Sequence, residues 1–417
     1  LADKLAQKRI ALYFEIKTMI NPSATGWIDK FFNEQDFSTK SVAITTGAFY
    51  EKVRATGFIY GHIISFNTPT QIQTKGWFKD EISKVALLTL LYDIFCLTKG
   101  ENQSNLFIKE TVAFYNQMNP QGFNLFKKIL PKDSLALTLE KIIDNRVQTN
   151  ESIINKNFSH LVTNALLFID IIAYQQYLIQ GEIPDKYLKK IEETIVNVVT
   201  LALKIKTKKS QYDDLLIKLF EASIRYSKFS KGTTQNLDTL QLDYFTNDLE
   251  KYYLIDLACM ALWSDGEIEN EENYFLHSLA TILNINDEFV LQSLSCTNTF
   301  IAQHKKDIPY FNYSNPVKHF YDQTTQSVVT LISRNKNRLL KELYQSKELM
   351  VLLAYSTRRD LDEKEKKKVK KQLLEICKTI PSLTIFLLPG GSLLLPILIK
   401  FIPTLLPTAF NENLDEE

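Results

Sequence analysis

The stretch Leu161–Gln180, "LVTNALLFIDIIAYQQYLIQ", decides the fold class. Its length and apolarity are those of a membrane-spanning helix, which needs about 20 apolar residues. However, Asn164, Asp170, Gln175 and Gln176 would then lie in hydrocarbon, where an aspartate alone costs up to ~3 kcal/mol. A core helix closed by Gly181 and Pro184 is the better reading. The chain around it agrees. Of 417 residues, 45% are hydrophobic and only 12 each are Gly and Pro, so helix breakers are scarce. These features predict an all-α, multi-domain protein with a proline-broken apolar C-terminal segment.

Outward from that helix, residues 1–150 form an aromatic-rich region whose glycines at 47, 57, 61 and 76 imply short helices. Within it, Lys79–Thr98 reads as an apolar helix with Asp80 near its start. Residues 151–236 form a second helical region, with amphipathic helices at Lys186–Thr207 and Gln211–Phe229 and a polar linker at Ser230–Asn236. A third helical unit spans 237–310. One long helix is expected over Gln323–Ser356 and a highly charged one over Asp360–Thr379. The fourth region, 330–411, contains both the charged helix and the apolar segment, and 412–417 is an acidic tail.

The 49 basic and 48 acidic side chains nearly cancel, so no global attraction to nucleic acid exists and any basic function is local. Four dispersed cysteines, with no Cys-x-x-Cys pair, argue against a disulfide framework or zinc site. The five histidines are equally scattered. Leu1–Ile20 has mixed charges and no signal-peptide core. No phosphate-binding glycine loop, nucleophile elbow or kinase motif is present, so nothing in the sequence makes a positive case for an enzyme, a cofactor or a small-molecule substrate.

Two segments are chemically pointed. The first is "WSDGEIENEENYFL", Trp263–Leu276. Read as a calcium loop, it places Asp265, Gly266, Ile268 and Glu272 at positions 5, 6, 8 and 12, but positions 1 and 3 fall on Ala261 and Trp263, which offer no side-chain oxygen. A helix–turn–helix corner fits better, with Glu269–Glu272 favouring the start of the next helix. Asp265, Glu267 and Glu272 remain the candidate metal ligands of this corner. The second segment, "RRDLDEKEKKKVKK", carries eight basic residues (Arg358, Arg359, Lys364, Lys366, Lys367, Lys368, Lys370, Lys371) against four acids. Such a run is either a solvated helix face or a phosphate-binding one. It precedes twenty uncharged residues, Ile380–Ile399, about 30 Å as a helix. Pro389, Pro396 and Pro403, seven apart, break any straight span, so two short apolar helices in lipid or on protein are expected.

Leu394–Phe410, "LLPILIKFIPTLLPTAF", resembles the signature of the leucine zipper, EF-hand-containing transmembrane (LETM-like) family. Leu394-Leu395-Pro396, Lys400-Phe401, Pro403, Leu406-Pro407 and Phe410 match in uninterrupted register. Leu361 with Lys364-Glu365-Lys366-Lys367 resembles that family's basic helix, and the likeness covers about Lys336–Phe410. The corner at Trp263–Leu276 resembles a TerB-like helical fold, a family in which acids near such a corner hold metal.

The LETM resemblance implies an inner-membrane setting, potassium or calcium exchange for protons, and a ribosome-binding domain of 14-3-3-like helical fold. This chain departs from that pattern in lacking a leucine zipper and a complete EF-hand, and in carrying Gly390–Gly391 within the apolar segment. With the TerB-like region, it is similar to a bacterial branch that includes biofilm-associated relatives.

The leading expectation is therefore a non-enzymatic, cytoplasmic protein associated with the inner membrane. It would engage the ribosome through the basic helix, with Pro381, Pro389, Pro396, Lys400, Phe401, Pro403, Pro407 and Phe410 forming the membrane or partner anchor. Two alternatives stand beside it: a component of monovalent cation–proton transport as part of a homo-oligomer, and a soluble TerB-like scaffold.

Overall fold

A computed structural model describes residues 20–35, 37, 45–118, 134–147, 166–208, 213, 217, 236–263, 268–308, 336–359 and 361–379. Every regular element among them is helical, as expected for an all-α chain. The chain divides into two compact units, Leu1–Lys75 with Lys79–Asn312, and Gly76–Phe78 with Tyr313–Glu417.

The first unit contains α1 (Trp27–Glu34), α2 (Thr46–Thr56), α3 (Lys79–Lys99), α4 (Ser104–Met118), α5 (Leu135–Val147), α6 (Phe168–Gln180), α7 (Tyr187–Ile205), α8 (Asp248–Leu262), α9 (Asn270–Leu283) and α10 (Asp287–His304). Two short 3-10 turns, Leu237–Thr239 and Leu242–Tyr244, precede α8. Helices from all three regions 1–150, 151–236 and 237–310 pack within this unit: α3 on α6, α8 on α7, and α2 on α8. The expected helix Gln211–Phe229 and the linker Ser230–Asn236 lie almost entirely outside the described residues.

Within the deciding stretch, Phe168–Gln180 forms α6, and its polar residues explain why it is a core helix. Asp170 is wholly buried and accepts from Arg146 Nε of α5 at 2.7 Å and from Tyr115 Oη of α4 at 2.8 Å. Gln175 accepts from Asn247 at 2.6 Å, and Gln176 donates to Glu250 at 3.3 Å. Asp170, Gln175 and Gln176, which would be costly in lipid, are thus satisfied by side chains of neighbouring elements, while Asn164 lies outside the described residues. No helix among the described residues is long and apolar enough to cross a membrane. Gly181, left-handed at φ 84°, ends α6, and its N–H donates to the Tyr177 carbonyl at 2.8 Å.

Other buried charges are tied down in the same way. Glu140 of α5 accepts from the Gly26 and Ile28 backbone N–H groups at 3.0 and 2.9 Å. It caps α1 from 112 residues away and places a negative charge at the positive end of that helix. Arg54 of α2 meets Asp256 of α8 through two bonds, 2.8 and 2.9 Å, and reaches Ser293 of α10 at 2.6 Å.

The second unit contains α11 (Lys336–Tyr344), α12 (Lys347–Arg358) and α13 (Glu363–Thr379). The long helix expected over Gln323–Ser356 is corrected within the described residues: α11 and α12 are separate. Ser346 starts α12, accepting from Leu349 N at 3.4 Å, while Gln345 and Ser346 N–H groups close the turn of α11. The local hydroxyl competes with continued helix, which the apolar run after it conceals in sequence. Leu339, Leu343, Leu349, Leu353, Val369 and Leu373 are buried and give this unit its core.

Candidate functional site

Helix α13 carries the basic run. Asp362 and Glu365 start it reciprocally: Asp362 Oδ1 accepts from Glu365 N at 2.8 Å, and Glu365 Oε2 accepts from Asp362 N at 2.9 Å. Its apolar positions Val369, Leu373 and Ile376 face inward. Lys364, Lys367 and Lys371, at spacings of three and four, fall on the opposite side of the helix, with Lys368 beside them. All of these lysines, with Lys366 and Lys370, are exposed.

The eight basic residues expected to act together are not equivalent. Arg359 grips Glu365 with both Nη atoms, at 2.7 and 2.6 Å, and its guanidinium lies 5.0 Å from the Tyr355 ring. Lys366 pairs with Glu363 at 3.1 Å. Lys368 pairs with Glu348 of α12, whose other oxygen accepts from Gln372 at 2.8 Å. By contrast, Lys364, Lys367, Lys370 and Lys371 have no carboxylate partner among the described residues. The side chain of Arg358 lies outside the described residues.

These pairings are electrostatically real but soft. Arg359, bonded in two places, holds the Glu365 carboxyl well below its usual range, to about 2. The hydrogen bond from Lys368 lowers Glu348 and raises Lys368 in return. Of the ammonium groups left over, those of Lys364, Lys367 and Lys371 share one exposed face as a row of point charges, with Lys370 to one side. The anchor residues Pro381, Pro389, Pro396, Lys400, Phe401, Pro403, Pro407 and Phe410 lie outside the described residues.

At the acidic corner, Asp265 and Glu267 also lie outside the described residues. Glu272 is wholly buried and serves the backbone. One carboxylate oxygen accepts from the Thr207 N–H and hydroxyl at 2.9 and 2.7 Å, and the other accepts from Glu269 N at 3.0 Å. It therefore closes a capping box at the start of α9 and ties that start to the end of α7.

The fold also gathers residues that the sequence scatters. His62, in the loop after α2, meets His304, the last residue of α10, with ring centroids 6.1 Å apart. Asp307 follows in the next turn and completes a group whose ligand-capable atoms all lie within 4.8 Å of one another. Burial, then the Lys79 ammonium, push the His62 imidazole down to about 4. No motif announces this group, because its first two members stand far apart in sequence, towards opposite ends of the first unit.

Comparison with known proteins bears on the C-terminal part. Residues 361–417 match the family model described as LETM1-like, RBD. The match begins at Leu361, immediately before α13, and runs through the proline-rich segment that carries the resemblance in sequence. No curated protein and no solved structure matches the chain.

Proposed function

We propose that this is a non-enzymatic, LETM-like protein that binds the ribosome through the outer face of α13. The observation that carries the reading is a coincidence of two features. The segment matching the LETM1-like RBD model opens on a helix whose lysines 364, 367, 370 and 371 are exposed and not engaged with carboxylates. A solvated surface helix balances its charges along its own faces, as Lys366 and Lys378 do with Glu363 and Glu375. An unbalanced row is the feature that ribosomal RNA, dense in phosphates, would use.

The protein would act at the cytoplasmic face of the inner membrane, the basic helix preceding the apolar stretch Ile380–Ile399 in the order that keeps positive charge on the cytoplasmic side. Pro381 to Phe410 would supply the anchor, in lipid or on a partner.

Co-sedimentation of the full chain with purified ribosomes tests this reading. Lys364→Glu/Lys367→Glu/Lys371→Glu should abolish pelleting at moderate salt while leaving the melting temperature nearly unchanged, since exposed charges contribute only ~0–1 kcal/mol each. Reversing the paired Lys366 and Lys368 should have a smaller effect on pelleting. Retained pelleting with a destabilised fold would overturn the proposal. Loss of binding to anionic vesicles alone would reassign the lysines to lipid headgroups, at ~1 kcal/mol per residue.

A further inference from the structure

We propose that His62, His304 and Asp307 form a binding site for one divalent transition-metal ion of the zinc class, which fastens the loop after α2 to the end of α10. This inference stands on the first unit alone and does not depend on ribosome binding.

The backbone on both sides is fixed. Gly57, at φ 75°, ends α2, and its carbonyl accepts from the N–H groups of Tyr60 and His62, each at 3.2 Å. A Cβ on Gly57 would come within 2.1 Å of the His62 carbonyl oxygen and 2.8 Å of the Phe300 ring, so this turn is packed tightly around His62. On the other side, the N–H groups of Asp307 and Ile308 both donate to the His304 carbonyl, at 2.8 and 3.2 Å, and Ile308 is wholly buried. His304 and Asp307 therefore belong to one closed turn.

The imidazoles share a support. Phe300 lies one helical turn before His304, with ring centroids 5.0 Å apart, and its ring is 6.4 Å from His62 and 4.6 Å from Tyr60. Two imidazole rings are thus held against one aromatic side chain, with a carboxylate beside them. Zinc lies roughly 2.0–2.2 Å from its nitrogen and oxygen ligands, so donor atoms in a zinc site approach each other more closely than the 4.8 Å limit of this group. His62 and His304 are half-buried and Asp307 is exposed, so their side chains have room to turn towards a shared ion.

The donor set selects the metal class. Two imidazole nitrogens and one carboxylate suit zinc, nickel, copper or ferrous iron, whereas calcium and magnesium prefer all-oxygen sites. Electrostatics contribute in both directions. The Lys79 ammonium acts on His62 and opposes a cation. Asp307 and the carbonyl end of α10, the negative pole of that helix, act in favour of one. No fourth His, Cys, Asp or Glu joins the group among the described residues, so water would take the remaining coordination positions.

The test is a titration of tag-free, full-length protein with Zn2+ against a chromogenic chelator, with Co2+ substitution to read the coordination from its visible bands. The expected result is one equivalent bound per chain and a higher melting temperature on binding. His62→Gln and His304→Gln should each weaken that equivalent by at least about tenfold. Asp307→Asn, at an exposed position, should weaken it with the metal-free melting temperature unchanged, which separates loss of a ligand from damage to the fold. His277→Gln is the control, because His277 pairs with Asp287 at 2.7 Å outside this group and its loss should leave the equivalent intact. Absence of a stoichiometric equivalent, or wild-type affinity in His304→Gln or Asp307→Asn, would overturn the proposal.

Discussion

Replacing Asp256 by Asn should cost the first unit about 3–5 kcal/mol, the usual penalty for stranding one member of a buried ion pair. Asp256 is 1% exposed and Arg54 is 5% exposed, so water cannot reach the guanidinium to replace the lost charge. The Asn side chain keeps the shape and can still accept from Tyr50 Oη, now 2.9 Å from the carboxylate. What disappears is the countercharge and the acceptor for Arg54 Nη2, because the amide NH2 that replaces Oδ1 cannot accept and the other neighbours of Arg54 are neutral: the Ser293 hydroxyl and the rings of Tyr50 and Phe289, 5.0 and 4.6 Å from the guanidinium carbon. Thermal unfolding of the full chain should show the first unit's transition fall by roughly 6–10 °C, at about 2 °C per kcal/mol for a unit of this size. The double variant Arg54→Met/Asp256→Leu, made in a Tyr50→Phe/Ser293→Ala background so that neither buried hydroxyl is stranded, removes both charges and should recover most of the loss, since a well-packed apolar pair often equals a buried salt bridge. A cost below about 1 kcal/mol for Asp256→Asn, or no recovery in the double variant, would refute the reasoning.

Glu272→Ala should destabilise the first unit by roughly 2–4 kcal/mol, because it removes the acceptor for three hydrogen bonds at a buried helix start, and Glu272→Gln should cost less. Chemical denaturation checks this, and equal costs would show that the carboxylate's charge and not its geometry matters. In the second unit, Glu365 is held down to about 2 by Arg359, so its stabilising effect is present above the unfolded carboxylate range and is lost as pH falls through about 2. Comparing wild type with Glu365→Gln across acidic pH should show a stability difference at neutral pH that shrinks towards pH 2, whereas a constant difference would assign the effect to packing.

Much of the fold could be read from residues that look out of place. Asp170, Gln175 and Gln176 within an apolar run signal a helix buried against polar partners, because no other setting satisfies them. Their partners could not be read, since Arg146, Asn247 and Glu250 are ordinary surface-type residues until the fold places them. The same limit applies to α13. Its basic character is plain in sequence, but Lys368 is neutralised by Glu348, twenty residues earlier on another helix, and only the packing of α12 on α13 separates paired lysines from unengaged ones. The break at Ser346 was hidden because Leu349–Leu353 continues the apolar pattern across a local hydroxyl cap. His62 and His304 carry no spacing signal at all, being joined by the return of α10 to the loop after α2.

The salt dependence of ribosome binding bears most directly on the role of α13. Each phosphate contact releases counterions, so the logarithm of the binding constant should fall linearly with the logarithm of salt, by about 0.7–0.9 per contact. Lys364, Lys367 and Lys371 then account for roughly 2–3 units of slope. Measured by co-sedimentation between about 50 and 200 mM salt, Lys364→Ala/Lys367→Ala/Lys371→Ala should bind more weakly and with a slope shallower by that amount. An unchanged affinity and slope in the triple variant would contradict ribosome engagement through this face.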